Sequence, residues 1–291
     1  MQEVRNARRF AFLGVALLAA SLLLAGCAGG EGEHDHSTHS HDEEESGGGM
    51  AMADGGHAMD HGAMAAIQAA QGMSVALRIE PDAVDGVNIT VLPEGFTFAP
   101  EHVNGDHIPG EGHAHLYVDG VKVTRLYGPH YHLAGLEPGE HEIRVTLNAN
   151  THAAYAHGDR PVETVHMVTI AEGEHAHGAG MDDGPVEAPE GMTVALHAEA
   201  DAPGGAVNIR IDAAGFRFTP ERVNGDHVAG EGHAHVYVDG EKIGRVYGPY
   251  FHLGGLASGE HEIRVTLNAN THAAYTRGGE PLEAVARVTV P

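Results

Sequence analysis

The segment Gly110-Glu111-Gly112-His113-Ala114-His115-Leu116-Tyr117-Val118 sets two histidines one residue apart. It recurs as Gly230 to Val238, with His233 and His235. In an extended strand, residues two apart share a face, about 6.6 Å from each other. Imidazoles so placed can converge on one cation at metal–nitrogen distances of about 2.0–2.1 Å. Leu116 and Val118 have the opposite parity and are expected in a core, leaving His113, His115 and Tyr117 on an outer face or rim. A third ligand must come from elsewhere. One candidate is His132 (His252), in Tyr131-His132-Leu133, whose neighbours are expected to be buried; the other is His152 (His272), in the loop-like Asn148-Ala149-Asn150-Thr151-His152. The expected sites are therefore His113, His115, His132 and His152 in one copy, and His233, His235, His252 and His272 in the other. His107 (His227) is a loop reserve. His141 (His261) shares its face with Ile143, Val145 and Leu147, so a hydrogen-bonded core histidine is favoured there over a ligand. A structural hydrogen-bonding cluster is the competing account of His113 and His115.

Composition narrows the chemistry. The chain has 25 histidines in 291 residues, no tryptophan, and a single cysteine, Cys27. If Cys27 is modified, disulfides, thiolate metal sites and cysteine nucleophiles are all excluded, and so is a blue-copper centre, which requires a cysteine ligand. Any metal would be held by histidine, carboxylate or methionine. The formal charge of −25 argues against nucleic acid and anionic surfaces, and favours cations as partners.

Cys27 closes the tetrapeptide Leu24-Ala25-Gly26-Cys27, after an apolar run from Phe10 to Ala25 that follows Arg5, Arg8 and Arg9. A basic start, a short apolar centre and a small-residue end read as an export signal over residues 1–26. With its cysteine the segment resembles the lipobox of bacterial lipoproteins. That resemblance implies cleavage before Cys27, lipidation of Cys27, and a protein anchored to the cell envelope facing the periplasm or exterior.

Residues 27–72 form a distinct tail. They carry His34, His36, His39, His41, His57 and His61, the acidic run Asp42 to Glu45, and Met50, Met52, Met59 and Met64. So few large apolar residues cannot repay the entropy of ordering, and the tail is expected to be disordered, apart from a short helix near Ala63–Ala70. Histidines beside carboxylates suit zinc or Cu(II), whereas the thioethers in Met59-Asp60-His61-Gly62-Ala63-Met64 favour Cu(I). That segment is similar to Met-Asp-His stretches of bacterial copper-handling proteins. A plain solvated tether is the alternative.

The remainder is a duplication. Residues 96–170 align with 216–290 at a constant offset of 120, with 51 identities in 75 positions. Repeat 1 is expected over 73–170 and repeat 2 over 192–291, joined by a Glu/Gly/Pro-rich linker, 171–191, that contains His175 and His177. Of ten histidines in the first aligned span six persist, a rate no higher than for other residues, so the duplication itself adds little to the metal argument.

Each copy reads as β throughout. Val75–Ile79, Val87–Leu92, Ala114–Val118, Val121–Leu126 and Val165–Ile170 are short strand-like runs; Asp119-Gly120 is a hairpin turn, and Gly139–Leu147 alternates cleanly. The expected fold is all-β: two tandem immunoglobulin- or cupredoxin-like β-sandwich domains after the tail. The repeat also resembles uncharacterised secreted bacterial domains with a Gly-His-x-His-Leu strand, a later His-Leu, a Pro-Gly-x-His turn and a closing Asn-x-His. The matching residues are Gly112 to Leu116, His132-Leu133, Pro138 to His141, and Asn150 to His152; repeat 2 has Ser258 in place of the proline. The resemblance implies no established activity.

The leading expectation is an envelope-anchored protein that captures, buffers or delivers copper, with zinc second and no organic cofactor. Its partners would be metal ions, the membrane through its lipid, and a metal-transport or envelope protein. An adhesion or scaffold module is the first alternative. A cupin-like or zinc-dependent enzyme ranks lower, because a cupin would have a glutamate where Asp119 occupies the turn.

Overall fold

The computed structural model describes residues 65–171, 184–201 and 205–291. In repeat 1, Ser74–Pro81, Val87–Glu94 and His130–Leu133 form a three-stranded antiparallel sheet with Val87–Glu94 at its centre. Against it lies a second sheet in which Glu163–Ile170, Gly139–Ala149 and Glu111–Val118 run side by side. Val121–Leu126 and the two-residue Thr97–Phe98 share the far edge of Glu111–Val118. Repeat 2 copies this arrangement, with Thr193–Asp201, Ala206–Ala214 and Tyr250–Leu253 facing the sheet built on Glu231–Val238 and Gly259–Asn268. The protein is all-β, two β-sandwiches in tandem.

Period-two alternation builds each core. Val87, Ile89 and Val91 from one sheet meet Ala114, Leu116, Ile143, Val145 and Leu147 from the other, all nearly inaccessible. Val207, Ile209, Ile211, Val236, Ile263, Val265 and Leu267 do the same in repeat 2. The hairpin turn forms where expected. Asp119 and Gly120 both have positive φ, the backbone that a two-residue turn between right-twisted strands requires.

The folded repeats begin earlier than the sequence boundaries. Ile67–Gln68 pairs in parallel with Tyr155–His157, and Val186–Glu187 pairs likewise with Tyr275–Arg277. At its described positions the helix expected near Ala63–Ala70 is replaced by this short strand: so brief a run cannot repay helix nucleation, while the sheet edge offers ready partners. Ala69 and Met73 are buried as a result. The upstream tail, including Cys27, and linker residues 172–183 lie outside the described residues.

The two repeats pack on each other with pseudo-two-fold symmetry. Tyr131 stacks on its own counterpart Phe251, with centroids 6.4 Å apart and planes within 9°. Tyr127 donates to Asn208 Oδ1 (2.6 Å), and Tyr247 donates to Asn88 Oδ1 (2.9 Å). Arg125 Nη1 pairs with Asp201 Oδ2 at 2.5 Å, and Arg245 Nη1 with Asp82 Oδ2 at 2.8 Å. Such reciprocity is what a symmetric dimer interface shows, here within one chain.

The Arg245 and Asp82 side chains are 3% and 0% exposed. Removing one partner strands the other charge in a buried position, a loss of about 3–5 kcal/mol. Asp82→Ala is expected to lower denaturant stability by that order. Arg78→Ala, which breaks an exposed pair with Glu80, is expected to change it by less than about 1 kcal/mol.

Candidate metal centre

Close strand approach sets the site. Gly112 pairs with Ala149, and a Cβ on Gly112 would collide with the Asn148 carbonyl oxygen; Gly232 and Asn268 repeat this. The tight approach seats His113 directly opposite Asn148 at the end of the long strand. The chain then turns back. His152 is held at φ 72° and Asn104 at φ 65°, left-handed conformations that cost a non-glycine residue energy and cluster at functional sites. Hydrogen bonds hold the turn in place: His152 N–H to Ala149 O (2.8 Å), Asn148 Nδ2 to His152 O (3.0 Å), and Asn104 N–H to Asn150 O (3.0 Å).

Three imidazoles meet here. His113 Nε2 lies 3.0 Å from His115 Nε2, and His152 Nδ1 lies 3.1 Å from His113 Nε2. His233, His235 and His272 reproduce both distances. In each triad the donor atoms lie within 4.8 Å of one another, so each could hold a metal ion. A tetrahedral zinc site with bonds of about 2.0–2.1 Å has nitrogen–nitrogen edges of about 3.3 Å, so the two edges at His113 Nε2 need only a slight opening.

The paired histidines are not at a rim. His113 is 0% and His115 7% exposed, because the His152 turn, Tyr127 and Lys122 close over the outer face of the strand. Burial, followed by the neighbouring His115 and His152 rings, pushes His113 well below the usual histidine range. Burial and Lys122 take His115 down to about 2, while burial and Arg125 take His152 to about 4. All three are neutral at pH 7, the state that binds metal. Lys122 Nζ stands 3.2 Å from His115 Nε2, itself pushed down to about 8 by burial and then by Arg125. His113 Nδ1 is buried without a hydrogen-bond partner, and so is His233 Nδ1.

His132 does not join the triad of its own repeat. It belongs to the opposite sheet, whose outer face packs on the other repeat. There His132 sits edge-on to Tyr247, 3.7 Å from Asp85, and acts electrostatically on His235 and His272. His252 mirrors it: edge-on to Tyr127, 3.6 Å from Asp201, acting on His115 and His152. The fourth histidine of each expected site thus stands beside the triad of the other copy. Sequence spacing cannot distinguish these two arrangements.

The remaining candidates separate clearly. His107 and His227 are exposed, beside Tyr155 and Tyr275, and outside the triads. His141 uses both ring nitrogens, with Asp119 Oδ2 (2.7 Å) and Glu137 O (2.8 Å), and these bonds raise its pKa; His261 does the same with Asp239 and Ala257. It is therefore a hydrogen-bonded brace across the hairpin, at the partly exposed end of the strand rather than in the core. The tail candidates His34, His36, His39, His41, His57, Met59, His61 and Met64 lie outside the described residues. Sequence reasoning missed Asn104, Lys122, Arg125 and Asp201 with their counterparts Asn224, Lys242, Arg245 and Asp82. For Asn104, Lys122 and Arg125 the only signal was persistence in both copies, weak against a background of 51 in 75, and Asp82 and Asp201 lie outside that aligned span.

No protein-family model and no curated protein matches the chain. Among solved structures, it is similar to fibronectin(III)-like modules of Clostridium thermocellum CbhA, at 22% identity over 34% of this chain and 95% of that one, TM-score 0.23. The central fibronectin-III array of RIM-binding protein is 16% identical over 77% and 72%, TM-score 0.23. A β-glucuronidase from Parabacteroides merdae is 12% identical over 75% of this chain, which spans about a quarter (24%) of that enzyme, TM-score 0.21. Scores this low add nothing to the sheet topology, which defines the fold by itself.

The depressed histidines fix a pH dependence. Unfolding lets each take up a proton at its ordinary value near 6.5, so the unfolded state binds more protons below that pH and stability falls with acidity. His141 and His261, raised, act oppositely but are more solvent-screened. In chelator-treated protein the melting temperature is expected to drop from pH 7 toward pH 4. Paired His152→Ala and His272→Ala changes should flatten that slope.

Proposed function

We propose that this chain is a metal-binding protein of the cell envelope that takes one ion in each repeat, copper first and zinc second, for capture, buffering or delivery. The observation that carries this reading is the meeting of three neutral imidazoles in each repeat, two of them buried, with Nε2 of His113 (His233) 3.0 Å and 3.1 Å from the nitrogens of the other two. Nitrogens so close must share either a ring proton or a cation, and three convergent donors allow the cation to replace that proton. An all-nitrogen set with no thiolate suits Cu(II) or zinc. The Met59 to Met64 segment, with its thioethers, supports copper, and the lipobox-like Leu24 to Cys27 supports lipid anchoring at Cys27. On this reading the tail histidines and methionines collect ions near the membrane, and the folded repeats hold them for an envelope or transport partner.

A second reading, a scaffold in which the histidines only stabilise the fold, draws on Lys122: its ammonium already donates to His115 Nε2. The two readings differ in what a metal does to stability. Bound ions should stabilise the native state by about 2.7 kcal/mol at one hundred times the dissociation constant.

Isothermal titration of the full chain with Cu(II) and Zn(II) tests this. The combined His113→Ala, His115→Ala, His233→Ala and His235→Ala chain is expected to lose two tight equivalents and the metal-induced rise in melting temperature. Unchanged stoichiometry in that variant would refute the proposal.

A further inference from the structure

Each triad is wired to a carboxylate of the opposite repeat. His152 Nε2 lies 2.5 Å from Asn104 Oδ1, and Asn104 Nδ2 donates to Asp201 Oδ1 at 2.9 Å. Asp201 ends the strand Thr193–Asp201 of repeat 2 and is 6% exposed. In repeat 2 the mirror chain runs from His272 Nε2 to Asn224 Oδ1 (2.5 Å), and from Asn224 Nδ2 to Asp82 Oδ2 (3.0 Å). Two unrelated stretches of sequence, 97 residues apart in one case and 142 in the other, are brought into the same relay twice.

The chemistry of the relay has one direction. An ionised carboxylate only accepts, so the Asn104 amide must turn its NH2 toward Asp201. Its carbonyl oxygen then faces His152 Nε2 and demands a proton there. A neutral imidazole carries one ring proton, so Nδ1 is left bare, and Nδ1 is the atom aimed into the triad. The Asp201 carboxyl stays ionised: the adjacent His252 ring, the Asn104 hydrogen bond and Arg125 together outweigh its burial and hold it below the usual carboxylate range. Burial alone would raise Asp82, but Asn224, Arg245 and Asn88 hold it down as well.

We infer that Asp201 and Asp82 are positioning residues for metal binding in trans: Asp201 of repeat 2 sets the donor nitrogen of His152 in repeat 1, and Asp82 of repeat 1 sets that of His272 in repeat 2. This rests on the triads being metal centres. It makes the fused pair of repeats, not the single repeat, the complete binding unit. Partners of this kind beyond the ligands govern metal affinity by about 10–100-fold.

The test uses the full-length chain and Co(II), whose visible bands report coordination. With His233→Ala and His235→Ala removing the second triad, Asp201→Asn is expected to weaken Co(II) binding at the first by tenfold or more and to alter its spectrum, while Asp82→Asn leaves it unchanged. With His113→Ala and His115→Ala the pattern should reverse. Asn104→Ala, which spares the Arg125–Asp201 pair, should act as Asp201→Asn does. In the metal-free chain, imidazole 15N shifts should show the His152 ring proton moving from Nε2 to Nδ1 in Asp201→Asn, and the His272 proton staying in place. Equal weakening of both centres by either substitution, or no change in either, overturns the inference. Absence of Co(II) binding with both aspartates intact instead refutes the metal reading itself, and the 15N shifts still decide the tautomer relay.

Discussion

The site depends on three imidazole nitrogens brought within 4.8 Å of one another, with His113 Nε2 3.0 Å and 3.1 Å from the other two, at a position where His113 and His115 are buried. Each ring, protonated, would carry a positive charge beside two others in a medium that screens poorly, so all three are held neutral. Neutral rings bring a second constraint: one ring proton must be shared at His113 Nε2, which leaves His115 Nε2 and His152 Nδ1 as acceptors. The protein meets it in part with the Lys122 ammonium, a tethered cation beside His115, which an incoming ion would have to displace. The strained His152 and Asn104 backbones and the glycine-permitted approach of two strands have the same origin. They are the geometry needed to hold three rings in one place.

Much of this was legible in the sequence because period-two alternation is a local property. Leu116, Ile143, Val145 and Leu147 had to face inward, which put His113 and His115 together on the other face, and the Asp119-Gly120 hairpin followed from turn chemistry. His152 could be named from the loop-like run before it. What alternation cannot supply is the covering of that outer face. His113 and His115 were expected near solvent, but the His152 turn, Tyr127 and Lys122 cover them, and none of these contacts has a sequence period.

His132 shows a limit peculiar to duplicated chains. A residue present in both copies at the same offset can serve the site of its own copy or that of the other, and the sequence is identical in either case. Here the sheet containing His130–Leu133 turns its outer face toward the other repeat, so His132 stands beside Tyr247 and Asp85 instead of His113. The short strands Ile67–Gln68 and Val186–Glu187 were invisible for a simpler reason. Two residues of parallel pairing leave no periodic trace, and their stability comes from the partner strand.

The pseudo-symmetry is imperfect in a way that bears on function. Thr124 donates to the His252 carbonyl at 2.9 Å and lies 3.3 Å from His252 Nδ1, but its counterpart is Gly244, which has no side chain to offer. His132 instead donates through Nδ1 to Asn88 Oδ1, which also accepts from Tyr247. With that hydroxyl's only proton on the carbonyl, the histidine beside the first triad has Nδ1 against an oxygen of the other repeat that accepts from it. The histidine beside the second has Nδ1 fixed as a donor by a carbonyl. Two centres with the same three inner rings thus carry different outer constraints. A duplication kept only for a larger binding capacity gives no reason for that difference, whereas two sites tuned to unequal affinity would have a use for it.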